Sequence, residues 1–191
     1  NLEHKLVLVN NWDIHWFDET PSTNVEVKNK INEGAEVGYV AAAKKQVSGY
    51  GMRGHKWVSP VGGLYFSLLL QPTLPPENLS EIPMRVANAV MCGLEPLSTE
   101  PLTIKPQNDI VLARSYFPDS NKREKLVGIS TEIYNGKLCV GIGINIFHPE
   151  RENKILGENI PVYLEDFCAV KPSLELVLES VLTSLNDKLV V

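Results

Sequence analysis

The sequence predicts an α+β fold: a mixed β-sheet flanked by helices. Three observations carry this reading. Residues 64–70 form an almost wholly apolar run, as in a strand covered on both faces. Asn135-Gly136 lies between two apolar stretches and signals a hairpin. Leu174, Leu178, Leu182, Leu185 and Leu189 recur at helical spacing and read as a core-facing stripe. Strands and helices do not alternate strictly, so an all-parallel βαβ architecture is not expected.

Taken in order, residues 5–9 are a short apolar run, either a strand or a terminal arm, and residues 14–17 read as a short strand. Ser22 or Thr23 caps a helix over 25–31, closed by Gly34. Residues 37–43 form a strand buried on both faces. It leads into QVSGYGMRGHKWVSP at 46–60, where Gly49, Gly51 and Gly54 alternate with large or charged residues. Such a loop either closes over a phosphate-bearing ligand or is a basic surface turn. After the strand at 64–70, residues 72–76 are proline-rich, and a helix over 82–97 carries Pro83 in its first turn. Strands follow at 102–105 and 110–112, joined by a turn containing Asn108 and Asp109. Residues 115–124 read as a mobile polar loop, and 126–134 with 137–146 as the hairpin. Gly141 and Gly143 inside the return strand imply close approach by a ligand or by another backbone. Residues 148–159 read as polar loop, 162–167 as a helical turn, and 172–190 as a helix capped by Ser173.

With 191 residues, 43% hydrophobic and 21% charged, the chain fits one soluble domain with a real core. Its net charge of −5 argues against a nucleic-acid partner, and its apolar runs are too short for a membrane span. Cys92, Cys139 and Cys168 are odd in number and widely spaced, which fits reduced thiols in a cytoplasmic protein. Cys139 falls in a buried-strand pattern and reads as inert. No two histidines have ligand spacing.

Several motifs occur in order: Ser22-Thr23-Asn24; Gln46-x-x-Gly49-Tyr50-Gly51-x-Arg53-Gly54-x-Lys56-Trp57; Lys105 with Asn108-Asp109; Lys125-Leu126-x-Gly128-Ile129; and Gly141-x-Gly143-x-Asn145. Together these resemble biotin protein ligases over about residues 16 to 147. The resemblance implies the class II-synthetase-like catalytic fold of biotin/lipoate ligases. It implies biotin and Mg-ATP as ligands, a biotinyl-5′-adenylate intermediate, and transfer to a lysine of a biotin carboxyl carrier domain by a monomer or homodimer. It also implies roles. Lys125, Arg53 and Asp109 are the catalytic candidates, with Asp109 also a candidate to assist magnesium. Ser22, Thr23, Asn24, Gln46, Gly49, Tyr50, Gly51, Gly128 and Ile129 would bind biotin. Arg53, Gly54, Lys56, Trp57, Lys105, Asn108, Asn145 and Lys125 would bind ATP. The loop at 48–56 is expected to be loose until it orders over the adenylate.

The chain departs from the family pattern in places. Tyr50, Met52 and His55 stand where the family's loop has arginines, and Gln107 occupies the place of an aromatic in the Lys105–Asp109 motif. Ser130 replaces a larger apolar residue. A lipoate- or octanoate-type ligase and a degenerate, non-catalytic binding module are the alternatives. Neither the N-terminal helix-turn-helix nor the C-terminal β-barrel of some family members is expected within residues 1–191.

Overall fold

The computed structural model describes residues 12–106, 108–151 and 158–189. The apolar run at 5–9, Gln107 and part of the loop at 148–159 lie outside the described residues. Eight strands among the described residues form one mixed sheet: β1 (Asp13–Phe17), β2 (Tyr39–Ala43), β3 (Leu64–Leu70), β4 (Leu102–Lys105), β5 (Asp109–Leu112), β6 (Arg123–Tyr134), β7 (Lys137–Ile144) and β8 (Asn159–Pro161). The order across the sheet is β1-β2-β3-β7-β6-β5-β4, with β8 also paired to β6. β1 runs parallel to β2 and β8 parallel to β6; the other pairs are antiparallel.

The two faces of the sheet are covered by different helices. On β2 and β3 the alternate residues Val40, Ala42, Phe66 and Leu68 point into the larger core. There they meet α2 (Ile82–Leu94) and α3 (Leu174–Lys188). Leu178, Leu182, Leu185 and Leu189 belong to that core, and Leu174 packs at its margin. Ser173 caps α3 by accepting from the Leu176 N–H. The opposite parity, Tyr39, Ala41, Leu69 and Cys139, forms a smaller core with Val27 and Ile31 of α1 (Thr23–Asn32). Period-two alternation thus sends adjacent strand residues into different cores.

The differences from the sequence reading have local causes. β2 starts at Tyr39, because Gly38 before it has φ +102. α2 ends at Leu94 rather than Leu97. β6 begins at Arg123, inside the segment read as loop, because β8 gives it a partner: Arg123 pairs with Asn159. β8 carries no strand signal in the sequence. It is three residues long, ends on a proline and follows a polar stretch. The polar segment before β6 is tied at its end, where Arg114 makes paired hydrogen bonds to Glu124 at 2.8 and 2.9 Å.

Cys139 is fully buried, and burial pushes its thiol up to about 12. Cys92 and Cys168 are partly exposed. Brief iodoacetamide treatment of the native protein at pH 8 should therefore modify Cys92 and Cys168 and spare Cys139. Mass mapping reads the result, and equal labelling of Cys139 would contradict the packing. The sign for stability is also fixed. A thiol whose folded value is raised favours the protonated form, so its contribution holds below pH 9 and declines as pH rises toward 12.

Candidate functional site

The site is built on one face of the β6–β7 hairpin. Gly128 pairs with Gly143, Ser130 with Gly141, and Glu132 with Cys139. These pairs recur every two residues and so share a face. Side chains from elsewhere stack on each step. A Cβ at Gly128 would sit 2.5 Å from the Trp57 ring, and one at Gly143 would also collide with the indole. Both positions must lack a side chain for Trp57 to lie where it does. A Cβ at Gly141 would collide with Asn24 of α1 and sit 2.7 Å from Ser130 Oγ.

Lys125 reaches this face through a bulge. Ile110 of β5 pairs with Val127, but Val111 pairs with Lys125, leaving Leu126 as an extra residue in β6. Leu126 and Val127 both enter the core. Lys125 is thereby turned to the other side, where strict alternation from Val127 would have buried it among apolar groups. Its ammonium lies 2.9 Å from Asp109 Oδ1 and 4.9 Å from the Trp57 ring centroid. Both side chains are largely enclosed, at 16% and 10% exposure, so the pair is much less screened than a surface bridge.

At the other end lies the start of α1. Ser22 occupies the N-cap position, yet its side chain makes no capping bond. Gln46 does the work instead. Its Oε1 accepts from the Thr23 N–H at 2.8 Å and from Thr23 Oγ1 at 3.2 Å, and its Nε2 donates to Ser59 Oγ at 2.9 Å. Asn24 Nδ2 donates to the Tyr50 carbonyl at 3.4 Å and to Ser130 Oγ at 3.3 Å, while Asn24 Oδ1 accepts from Ser67 Oγ at 2.7 Å. The glycine loop folds over this end as a small hairpin. The Gly51 N–H donates to the His55 carbonyl at 2.7 Å, and the Trp57 N–H to the Gly49 carbonyl at 2.9 Å.

Between these ends runs a cleft of about 450 Å³, a size suited to a small ligand. Of the expected residues, Thr23, Asn24, Gln46, Tyr50, Gly51, Lys56, Trp57, Asn108, Asp109, Lys125, Gly128 and Ile129 line it. Ser22, Gly49, Arg53, Gly54, Lys105 and Asn145 do not. Ser22 is buried at the N-cap position of α1. Gly49 sits behind the wall, where a Cβ would meet Ser59, Gln46 and the Trp57 carbonyl at 2.6–2.7 Å. Arg53 and Gly54 form the exposed tip of the loop, with φ 58 and 73. Lys105 lies opposite Asp109 on the outer strand β4. Asn145 holds the bulge by its backbone: its Nδ2 donates to the Lys125 carbonyl at 3.3 Å and its N–H to the Leu126 carbonyl at 3.0 Å.

The cleft also takes in residues outside the set expected to bind biotin or ATP. Met52 and His55 line it from the loop, Ser130, Gly141, Ile142 and Gly143 from the hairpin, and Asn159 from β8. The glycines and Ser130 had left a trace in the sequence; Asn159, beside a polar stretch, had none. Ser22 Oγ, Trp57 Nε1 and Asn159 Oδ1 are buried without a hydrogen-bond partner among the described residues. Each such atom costs roughly 1–3 kcal/mol unless something pairs with it.

A sheet with these glycine-floored steps, a capped helix end and a buried lysine–aspartate pair defines a ligand-binding α+β domain. The profile of the Biotin/lipoate A/B protein ligase family matches residues 16–146, and the chain belongs to that family. Among curated relatives, the bifunctional ligase/repressor BirA of Bacillus subtilis is 30% identical over 137 residues, 69% of this chain and 39% of that protein. The chain thus spans well under half the length of that relative. Among solved structures, the biotin protein ligase of Aquifex aeolicus in complex with biotin and ATP is 31% identical, with a TM-score of 0.75 over 92% of this chain and 69% of that one. The Leishmania major biotin protein ligase, at 21% identity and a TM-score of 0.73 over 93% of this chain and 75% of that one, shares the fold. No helix among the described residues is long and apolar enough to cross a membrane.

Gly143→Ala should destabilise the protein by about 1–3 kcal/mol through overpacking against Trp57, as read by urea unfolding. In a Trp57→Ala background the same substitution should cost far less. An equal cost in both backgrounds would show that the indole is not what the glycine accommodates.

Proposed function

We propose that this chain is the catalytic domain of a biotin protein ligase. Biotin and ATP give biotinyl-5′-adenylate and pyrophosphate, and the biotinyl group then passes to a lysine of a carboxylase's biotin carboxyl carrier domain. The observation that carries this reading is the two-ended chemistry of one cleft. Thr23, Asn24, Gln46 and Ser130 offer donors and acceptors to a ureido ring, while Lys125, held by Asp109, and Lys56 offer positive charge to a carboxylate and a phosphate. The likeness to the Aquifex protein named with biotin and ATP supports it.

In the first step a biotin carboxylate oxygen attacks the α-phosphorus, and the bond from that phosphorus to the pyrophosphate oxygen breaks. Two anions must meet, so the barrier is lowered mainly by charge neutralisation and alignment. Lys125 supplies a fixed cation, oriented by Asp109 and seated on Trp57. Asn159 Oδ1, on a cleft-lining residue and unpartnered among the described residues, is suited to a donor on the ligand. Asp109 is a cleft carboxylate that fits a Mg²⁺ taking its other ligands from phosphates and water. That ion would neutralise phosphate charge. In the second step the acceptor amine attacks the acyl carbon, the bond to AMP breaks, and the amine loses a proton. Asp109 is the group to orient and deprotonate it. Arg53 and Gly54 reach the nucleotide only if the loop tip turns inward, while Lys105 stands beside Asp109 on the next strand and Asn145 bonds the Lys125 carbonyl. The three unbonded cysteines suit a reducing compartment such as the cytoplasm.

Incubation with ATP, Mg²⁺, labelled biotin and a carrier domain should label the carrier. Labelling by lipoate and not by biotin would sink the reading. Lys125→Ala should slow adenylate formation at least about 100-fold. That variant leaves Asp109 unpaired, so Lys125→Met combined with Asp109→Asn provides a neutral control that should be equally inactive. Full activity in either variant would contradict the assignment. Met52 lines the cleft without a positive charge, so Met52→Arg should slow release of the adenylate; unchanged release would contradict that role.

A further inference from the structure

We propose that Lys28 is a positioning residue: with Glu132 and Tyr134 it clasps Tyr50 and thereby holds the glycine loop down over the acyl end of the cleft. What the loop retains there rests on the ligase reading above. The clasp follows from matched repeats. One step of four residues along α1 rises about 6.0 Å, and two residues along β6 about 6.6 Å. Asn24 and Lys28 of α1 therefore meet Ser130 and Glu132 of β6 in turn. Lys28 Nζ lies 2.6 Å from Glu132 Oε2. It also lies 5.2 Å from the Tyr50 ring centroid and 5.4 Å from that of Tyr134, between two aromatic faces.

Tyr50 is where the loop is gripped. Its ring sits against Lys28, and its carbonyl accepts from Asn24 Nδ2 at 3.4 Å. Beyond it Arg53, Gly54, His55 and Lys56 are exposed. Tyr50 lines the cleft and Lys28 does not, so Lys28 acts through Tyr50. Burial opposes the Lys28 charge, but hydrogen bonds with Glu132 and Tyr50 outweigh it and hold the ammonium above its ordinary value. Burial likewise raises the Tyr50 phenol. The clasp therefore stays charged on lysine and neutral on tyrosine at neutral pH.

The exposed Arg53 and Lys56 make loop opening measurable by limited trypsin digestion with mass mapping. Lys28→Met and Tyr50→Ala should each speed cleavage within the loop about fivefold and release biotinyl-adenylate about fivefold faster. Cleavage outside the loop and the thermal midpoint should stay near parental values. Lys28→Arg keeps the cation and should behave as the parent, whereas Tyr50→Phe keeps the ring and should fall between. Parental cleavage in Lys28→Met and Tyr50→Ala, or faster cleavage with unchanged adenylate release, overturns the proposal. So does a Lys28→Arg variant as open as Lys28→Met. If the parent makes no adenylate from biotin and ATP, the ligase reading fails and takes the proposal with it, whatever the digestion shows.

Discussion

Gly128 and Gly143 face each other across β6 and β7 and leave a hole in the sheet surface that the Trp57 indole fills. Most of the site depends on that contact. Trp57 anchors the far end of the glycine loop, whose near end is fixed by Gln46 at the start of α1. The indole is also the platform beneath the Lys125 ammonium. A methyl group at either glycine would lift the ring, shift the lysine and loosen the loop together. The glycines thus serve by what they lack, and the cost of a flexible residue in a strand is offset by the aromatic that covers it.

The second constraint is the bulge at Leu126. A β-strand alternates its side chains strictly, so the core positions at 127, 129 and 144 would send Lys125 inward. One extra residue reverses the parity, and Asn145 holds the reversed backbone by bonding the carbonyls of Lys125 and Leu126. The core and the charged centre are therefore satisfied by one strand.

Much of this was legible in the sequence. The apolar run of β3, the Asn-Gly hairpin and the leucine stripe of α3 each follow from periodicity or turn chemistry alone. The order of the motifs from Ser22 to Asn145 places residues from five segments in one site. Tertiary pairing was not legible. β8 forms only because β6 offers it an edge, and that pairing carries Asn159 into the cleft. The bulge leaves no mark in the letters around Leu126, and nothing there signals that Asn145, which reads as a ligand contact, also bonds the carbonyls of Lys125 and Leu126. Lys105 read as a site residue because it adjoins Asn108 and Asp109, yet the turn between β4 and β5 carries it one strand away. Lys28, Glu132 and Tyr134 carry no joint signal in the sequence, since their relation exists only where a helical step and a strand step run side by side.

The central claim is that this cleft brings a carboxylate to an α-phosphorus beside Lys125. The most direct measurement follows oxygen. Biotin labelled with ¹⁸O in its carboxylate is turned over with ATP and a carrier domain, and the AMP released is weighed by mass spectrometry. The account predicts one labelled oxygen in the AMP, because the acyl–oxygen bond breaks after the carboxylate oxygen has bonded to phosphorus. Unlabelled AMP, or label in inorganic phosphate, would contradict it.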